Sequence, residues 1–271
     1  MLREAMNQIL VALFLLFLAT PCPAWADPDS FYLEDLTWPE VKARMDKGTD
    51  TIIIPSGGTE QNGPHIAIGK HNWIVRYTSG EIARRLGNAL AAPVIAYVPE
   101  GRITPPQGHM MFPGTISLRD DGFAMILEDA ARSFKQHGFR HICFIGDHGG
   151  NQEVQKQVAE KLNSEWKDEG ITVLHVGDYY AANGAEDFIK AQKLGVENAA
   201  AHAGFMDAAE VMAINPKGVR PALIKHYTAK DFPINGAMGD PSQATAKYGK
   251  ALLALKIKAA VEQIKKAKGQ Q

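Results

Sequence analysis

Gly57-Gly58-Thr59-Glu60-Gln61-Asn62-Gly63-Pro64-His65, running on to Gly69-Lys70-His71-Asn72, is the stretch that decides how this chain reads. Before it stands the β-branched run Thr51-Ile52-Ile53-Ile54-Pro55, which has the length and composition of a buried strand. After it come Ile74, Thr78, Ile82 and Leu86, four apart, the spacing of one helix face. A Gly/Pro-rich loop carrying one carboxylate and two imidazoles therefore sits at the carboxyl end of a strand. In open α/β sheets that is where ligands bind.

The same alternation recurs downstream. Ala92-Pro93-Val94-Ile95-Ala96-Tyr97-Val98 reads as a second strand, and Glu100 to Leu118 as a long irregular segment whose length marks it as functional. Phe123, Ile126, Leu127, Ala130, Ala131 and Phe134 repeat at three and four residues, so a helix is expected there, ended by Gly138. Phe139 to Ile145 then reads as a buried strand that stops at Gly146-Asp147-His148-Gly149-Gly150-Asn151. Val154, Val158, Leu162 and Trp166 mark the next helix, and Ile171 to Val176 a further strand. Beyond Gly177 the pattern loosens, with a helix expected before Ile214 and another along Leu253, Ile257, Val261 and Ile264. Strand alternating with helix predicts an α/β fold, a mostly parallel sheet with helices on both faces. Towards its start, Thr37-Trp38-Pro39-Glu40-Val41 reads as a short helix capped by Thr37.

With 271 residues, 45% hydrophobic and 22% charged, one large domain accounts for the chain. The net charge of -1 and the absence of long like-charge runs argue against a nucleic-acid surface or a polybasic membrane patch. The N-terminus differs in kind: Arg3, then the apolar run Ile9 to Ala19, then Ala24-Trp25-Ala26, whose small residues fit signal-peptidase cleavage before Asp27. Residues 1–26 are therefore read as a signal peptide and 27–271 as a single domain, exported to the periplasm or secreted. The apolar run is shorter than the ~20 residues a membrane span needs, so no membrane association is expected after cleavage. Cys143, alone in the mature chain, reads as an inert core residue, so the fold must hold without an internal disulfide.

Glu60, His71 and His148 assemble first. Glu60 and His71 are placed in the loop after the first strand and His148 after the Phe139 strand, and in a parallel sheet both loops emerge on one edge. One carboxylate and two imidazoles, with a fourth position left for water, match a catalytic zinc site. Gly149, Gly150 and Asn151 open the following helix, where backbone N–H groups can face an anion or a developing oxyanion. Asp147 reads either as a carboxylate that orients an imidazole or as a plain cap. His202 and Asp207 stand at a loop-to-helix junction, either as a general acid and base or with Asp207 as a first-turn carboxylate favoured by the helix dipole. Lys70 reads as a transition-state cation or an exposed lysine, and His109 is equally open.

On these residues the chain resembles the creatininase (creatinine amidohydrolase) family. Glu60-Gln61-Asn62-Gly63-Pro64-His65 resembles its Glu-Gln-His-Gly-Pro-His signature, and Gly108-His109 with Phe112-Pro113-Gly114-Thr115-Ile116-Ser117-Leu118 resembles its central loop. Gly146-Asp147-His148-Gly149-Gly150-Asn151 resembles its Asn-Gly-His-Gly-Gly-Asn, and His202-Ala203-Gly204 with Asp207 its His-Ala-Gly-x-x-Glu. The resemblance implies a three-layer α/β sandwich, metal-dependent hydrolysis of C–N bonds in cyclic amides, formamides and related small molecules, and homo-oligomerisation.

It also implies a ligand set. One site of the two-metal members uses a Glu, a bridging Asp and a His that fall here on Glu60, His71 and His148. The second uses positions that fall on Asn62, His71 and Gly150. An imidazole nitrogen ordinarily serves one metal, and Asn62 and Gly150 remove ligands from the second site. One divalent metal is therefore expected on Glu60, His71 and His148, zinc by choice with manganese as the alternative. Asp207 is expected to act as general acid/base with His202 assisting, and Asn62, Gly149, Gly150 and Asn151 to meet the substrate or its oxyanion. The competing expectation is an exported small-molecule-binding protein that kept the fold and lost turnover.

Overall fold

A computed structural model describes residues 29–196 and 198–270. The segment read as a signal peptide, residues 1–26, lies outside them, and no helix of the described residues is long and apolar enough to cross a membrane. In chain order the main elements are α1 (Trp38–Asp46), β1 (Thr51–Ser56), α2 (Lys70–Leu86), β2 (Ala89–Ala91), α3 (Asp120–His137), β3 (His141–Gly146), α4 (Gln152–Glu165), β4 (Thr172–His175), α5 (Ala185–Ala191), α6 (Phe205–Ile214) and α7 (Ala246–Ala267).

The four strands pair in the order β2-β1-β3-β4, all parallel, with Ile52 opposite Leu90, Ile54 opposite Phe144 and Cys143 opposite Leu174. Side chains alternate across each strand, so the two faces of the sheet build separate cores. Ile52, Ile54, Ile142 and Phe144 face α3 and α4, with Val41 and Met45 of α1 against them. Ile53, Cys143 and Ile145 face the other way, onto Val75 and Ile82 of α2 and Ile257 and Ile264 of α7. Helix, sheet and helix thus make the three layers. Each such fully buried Ile or Phe contributes about 1.5–3 kcal/mol through the area it removes from water.

The local signals act where they were read. Thr37 precedes α1, and the Glu40 carboxylate accepts from the Thr37 N–H at 2.7 Å. Gly138 ends α3 at φ 103°, a left-handed cap that glycine adopts without a Cβ penalty. Cys143 lies within β3 and is buried, and burial pushes its thiol up to about 12, so it stays protonated and inert.

Two expectations are corrected. The second strand is Ala89–Ala91, ahead of the Ala92–Val98 run. Pro93 has no N–H for a ladder, and the run keeps only single bridges, Ile95 to Ser56 and Val98 to Ser117. His71 is not in the loop, because α2 already begins at Lys70 and carries both residues in its first turn.

A third apolar cluster joins Phe205, Ala208 and Val211 of α6 to Leu252 and Leu253 of α7 and to Ile74 of α2. α6 and α7 cross closely at Gly249, where a Cβ would collide with the Ala209 carbonyl. This contact sets α6 beside the carboxyl edge of the sheet, where it forms one wall of the site.

Candidate metal centre

β1 and β3 are neighbours, β1 is followed by a helix on one face and β3 by a helix on the other, and the loops leaving them diverge at that switch point. Glu60 enters the gap from the β1 loop and His148 from the β3 loop. The Asn151 side chain ties the two loops together, donating to the Ser56 carbonyl at 3.1 Å and the Gly57 carbonyl at 2.8 Å. The Gly57-Gly58 pair is required for this packing. A Cβ at Gly57 would collide with Asn72 and one at Gly58 with the Glu100 carboxylate.

Glu60 is fully buried and divides its two oxygens. Oε1 lies 2.8 Å from His71 Nε2, 3.5 Å from Lys70 Nζ and 3.7 Å from His202 Nδ1. Oε2 lies 3.0 Å from His109 Nε2 and 3.4 Å from His148 Nε2, and His148 Nε2 lies 3.2 Å from Glu100 Oε2. Glu60, Glu100, His109 and His148 each offer one ligand atom, all within 4.8 Å of one another. Oε2 of Glu60 and both oxygens of Glu100 are buried with no hydrogen-bond partner. Two buried carboxylates turned on each other, with two imidazoles beside them, fit a divalent cation with nitrogen and oxygen ligands.

The electrostatics agree with that fit. Burial and the neighbouring Glu60 push the Glu100 carboxyl up to about 10, the cost of two carboxylates sharing one space without a cation between them. Burial opposes ionisation of Glu60 as well, but Lys70 and His71 outweigh it and hold its carboxyl well below the usual value. Burial, reinforced by His71, brings His148 down to about 3, so its ring is neutral, the state in which an imidazole ligates.

Of the three residues expected to share an ion, His71 and His148 both reach Glu60, at opposite oxygens of it. Their rings are 5.2 Å apart at 57°. The second nitrogen of His71, Nδ1, lies 2.8 Å from Asp147 Oδ2, so Asp147 orients the ring of His71 and not that of its neighbour His148. Asp147 Oδ1 in turn accepts from Tyr179 at 2.7 Å and Lys256 at 3.1 Å, and Lys256 donates to Glu210 at 2.8 Å.

The remaining expected residues are distributed as follows. Lys70 is buried, not exposed, and donates to Asp207 Oδ2 at 2.7 Å. Asp207 Oδ2 also accepts from the Ala203 N–H at 2.8 Å, and burial notwithstanding, Lys70 and His202 keep its carboxyl below the usual value. His202 Nε2 donates to the Gln61 carbonyl at 3.0 Å, and burial followed by Lys70 lowers its ring to about 4. Asn62 is buried, donates to the Glu60 carbonyl at 2.9 Å and leaves its Oδ1 without a partner.

The Gly149–Asn151 segment winds as a single 3-10 turn ahead of α4, and the Gly150 N–H is taken by His148 Nδ1 at 3.2 Å. Asn151 faces inward to the loops. Both groups thus take their partners within the protein. Gly149 lines a cavity of about 440 Å³, together with His148, Tyr180, His202 and Asp207.

Glu100, Lys256 and Glu210 were not singled out from the sequence. Lys256 interrupts the apolar row of α7 beside Leu253 and Ile257, and Glu210 interrupts Ala208-Ala209-Glu210-Val211. A charge on a buried helix face is itself a signal, because Lys and Glu are buried only when paired. Glu100, between Pro99 and Gly101, carries no such periodic mark.

The comparisons with known proteins accord with this geometry. The family described as "Creatininase: Creatinine amidohydrolase" matches residues 34–264. The mycofactocin precursor peptide peptidase of Mycolicibacterium smegmatis is 26% identical over 235 residues, 79% of this chain and 84% of that protein. The creatinine amidohydrolase of Pseudomonas putida is 29% identical over 122 residues, 45% of this chain and 46% of that protein. Among solved structures, a creatinine amidohydrolase superposes with a TM-score of 0.72 at 20% identity, covering 88% of this chain and 98% of its own. A manganese form of creatininase superposes equally, at 0.72 and 21%, over 88% of this chain and 99% of its own, and a mutant of Zn-Zn type at 0.73 and 20%, over 88% and 98%. The family match spans most of the described chain, and the chain belongs to the creatininase (creatinine amidohydrolase) family of hydrolases.

Proposed function

We propose that this protein is an exported hydrolase that cleaves a C–N bond of an amide, cyclic amide or formamide in a small molecule, with one divalent ion, zinc or alternatively manganese. The observation that carries the reading is the buried set of Glu60 and Glu100 with His109 and His148 beside them, in which Oε2 of Glu60 and both oxygens of Glu100 have no hydrogen-bond partner. These four residues would hold the ion. When bound, such an ion supplies Lewis acidity towards the amide carbonyl and a water made acidic enough to attack at neutral pH.

The chain's own groups do the rest. His202, its Nε2 hydrogen-bonded to the Gln61 carbonyl, presents Nδ1 towards Glu60 and can carry a proton there to the departing nitrogen. Asp207 lines the cavity as an ionised carboxylate and, through Lys70 and the Ala203 N–H, holds the His202 loop in place. Asn62, with its buried and unpartnered Oδ1, sits behind Glu60 and fixes the loop that presents it. The relatives named as a peptide peptidase and a creatinine amidohydrolase both support an amide C–N bond as the target.

The test is metal analysis of the purified protein joined to a screen of cyclic amides, formamides and short peptides. One ion per chain, with hydrolysis lost in Glu100→Gln and in His148→Ala, is the expected result. Saturable binding of a small molecule without product and without metal would instead identify a binding protein.

A further inference from the structure

The inference concerns His71 and rests on the metal reading above. We propose that His71 does not ligate the ion but is a positioning residue that clamps Glu60, and that Asp147, Lys256 and Glu210 hold that clamp rigid.

Glu60 has two oxygens, and His71 meets the one that His109 and His148 do not. Its Nε2 meets Oε1 at 2.8 Å, whereas Glu100, His109 and His148 gather with Glu60 in a set that leaves His71 out, two of their imidazoles meeting Oε2. The other ring nitrogen is engaged as well, by Asp147 Oδ2 at 2.8 Å, so carboxylates occupy both edges of the ring. Asp147 has no freedom to swing away. Its Oδ1 is fixed by Tyr179 and Lys256, Tyr179 is fixed by Thr78 at 3.0 Å, and Lys256 is fixed by Glu210. Every link is buried, the most exposed side chain being Lys256 at 9%.

The chain of contacts draws on five helices or loops: α2, the β3 loop, the turn Gly177–Tyr179 after β4, α6 and α7. It ends on one carboxylate oxygen. A glutamate held at one oxygen presents the other in a fixed direction, and partners that orient ligands in this way commonly govern metal affinity by 10–100-fold. Lys70, the residue before His71, closes the same oxygen from a second side at 3.5 Å.

The experiment uses the full-length protein loaded with zinc. X-ray absorption at the zinc edge counts the imidazoles around the ion, and competition with a chromogenic chelator gives its affinity, for wild type, His71→Asn and Asp147→Asn. The expected result is an unchanged imidazole count in both variants. Affinity should fall ~10–100-fold in His71→Asn and by a smaller factor in Asp147→Asn, whose single amide oxygen can still meet His71 Nδ1 while its NH2 displaces the Tyr179 and Lys256 contacts. Loss of one imidazole in His71→Asn overturns the proposal, as does unchanged affinity in both variants. Should His71→Asn fail to fold, Asp147→Asn decides alone, and wild-type affinity there overturns the proposal. A wild type that takes up neither zinc nor manganese sinks the metal reading itself, a result distinct from an ion that binds with His71 in its shell.

Discussion

Lys70 and Asp207, 137 positions apart in sequence, form a 2.7 Å ion pair in which the lysine is almost wholly enclosed while the aspartate keeps about a fifth of its side chain, 21%, in contact with solvent. The pair joins the first turn of α2 to the first turn of α6. It closes the site where the walls built by α2 and α6 meet.

Removing the cation takes away the one positive charge that reaches both Glu60 Oε1, at 3.5 Å, and Asp207 Oδ2, at 2.7 Å. Lys70→Met should destabilise the protein by about 3–5 kcal/mol, the range for breaking one partner out of a buried pair. Chemical denaturation of Lys70→Met and of the double variant Lys70→Met/Asp207→Asn checks this. The double variant should recover part of the loss, since one of the two carboxylate charges that Lys70 faced is gone.

Glu100→Gln should move stability in opposite directions with and without metal. In a chelator-treated protein the change removes a carboxyl that burial and Glu60 push up to about 10, so the melting temperature should stay level or rise. With zinc present the variant loses a ligand, and the metal-dependent gain in melting temperature should shrink or vanish. Thermal melts with chelator and with excess zinc give both readings. A metal-dependent gain equal to wild type would remove Glu100 from the ligand set.

At the opposite end of the sheet, Lys268 of the C-terminal segment reaches back to β1, 2.9 Å from Asp50 Oδ1 and 2.7 Å from Thr51 Oγ1. Burial pushes the Asp50 carboxyl up, but the hydrogen bonds from Lys268 and Thr51 outweigh it and hold the group below its ordinary value. For a carboxyl lowered on folding, the contribution is complete above the unfolded value of ~4 and is lost as pH falls through the lower native value. Lys268→Met should therefore lower stability at neutral pH and flatten the fall in stability as pH drops below about 4. Denaturation curves over that range decide it, and an acid limb as steep as wild type would count against the pair.

Much of the architecture could be read in advance because its causes are local. The apolar run at Ile52 to Ile54, the three-and-four spacing from Phe123 to Phe134 and the cap at Gly138 each act within a few residues, and each appears where it was read. The Ala92–Val98 strand failed for an equally local reason, the missing N–H of Pro93, which weighs more than the β-branched composition around it. The apolar rhythm starts only at Ile74, so the sequence alone leaves His71 in the preceding loop. The helix starts four residues earlier because Lys70, His71 and Asn72 each find a polar partner across the site.

By itself, the sequence determined the alternation of strand and helix, the family motifs and the meeting of Glu60 with His148 on one sheet edge, because strand direction alone sends both loops to the same side. Only the tertiary structure decided that Glu100 and His109 join them, that His71 faces the other oxygen of Glu60, and that Asp147, Lys256 and Glu210 stand behind it. Those choices depend on the path of a long irregular loop and on the close crossing of α6 and α7 at Gly249. No short-range periodicity encodes either, since a buried charge takes its partner from whatever the packing brings within 3 Å.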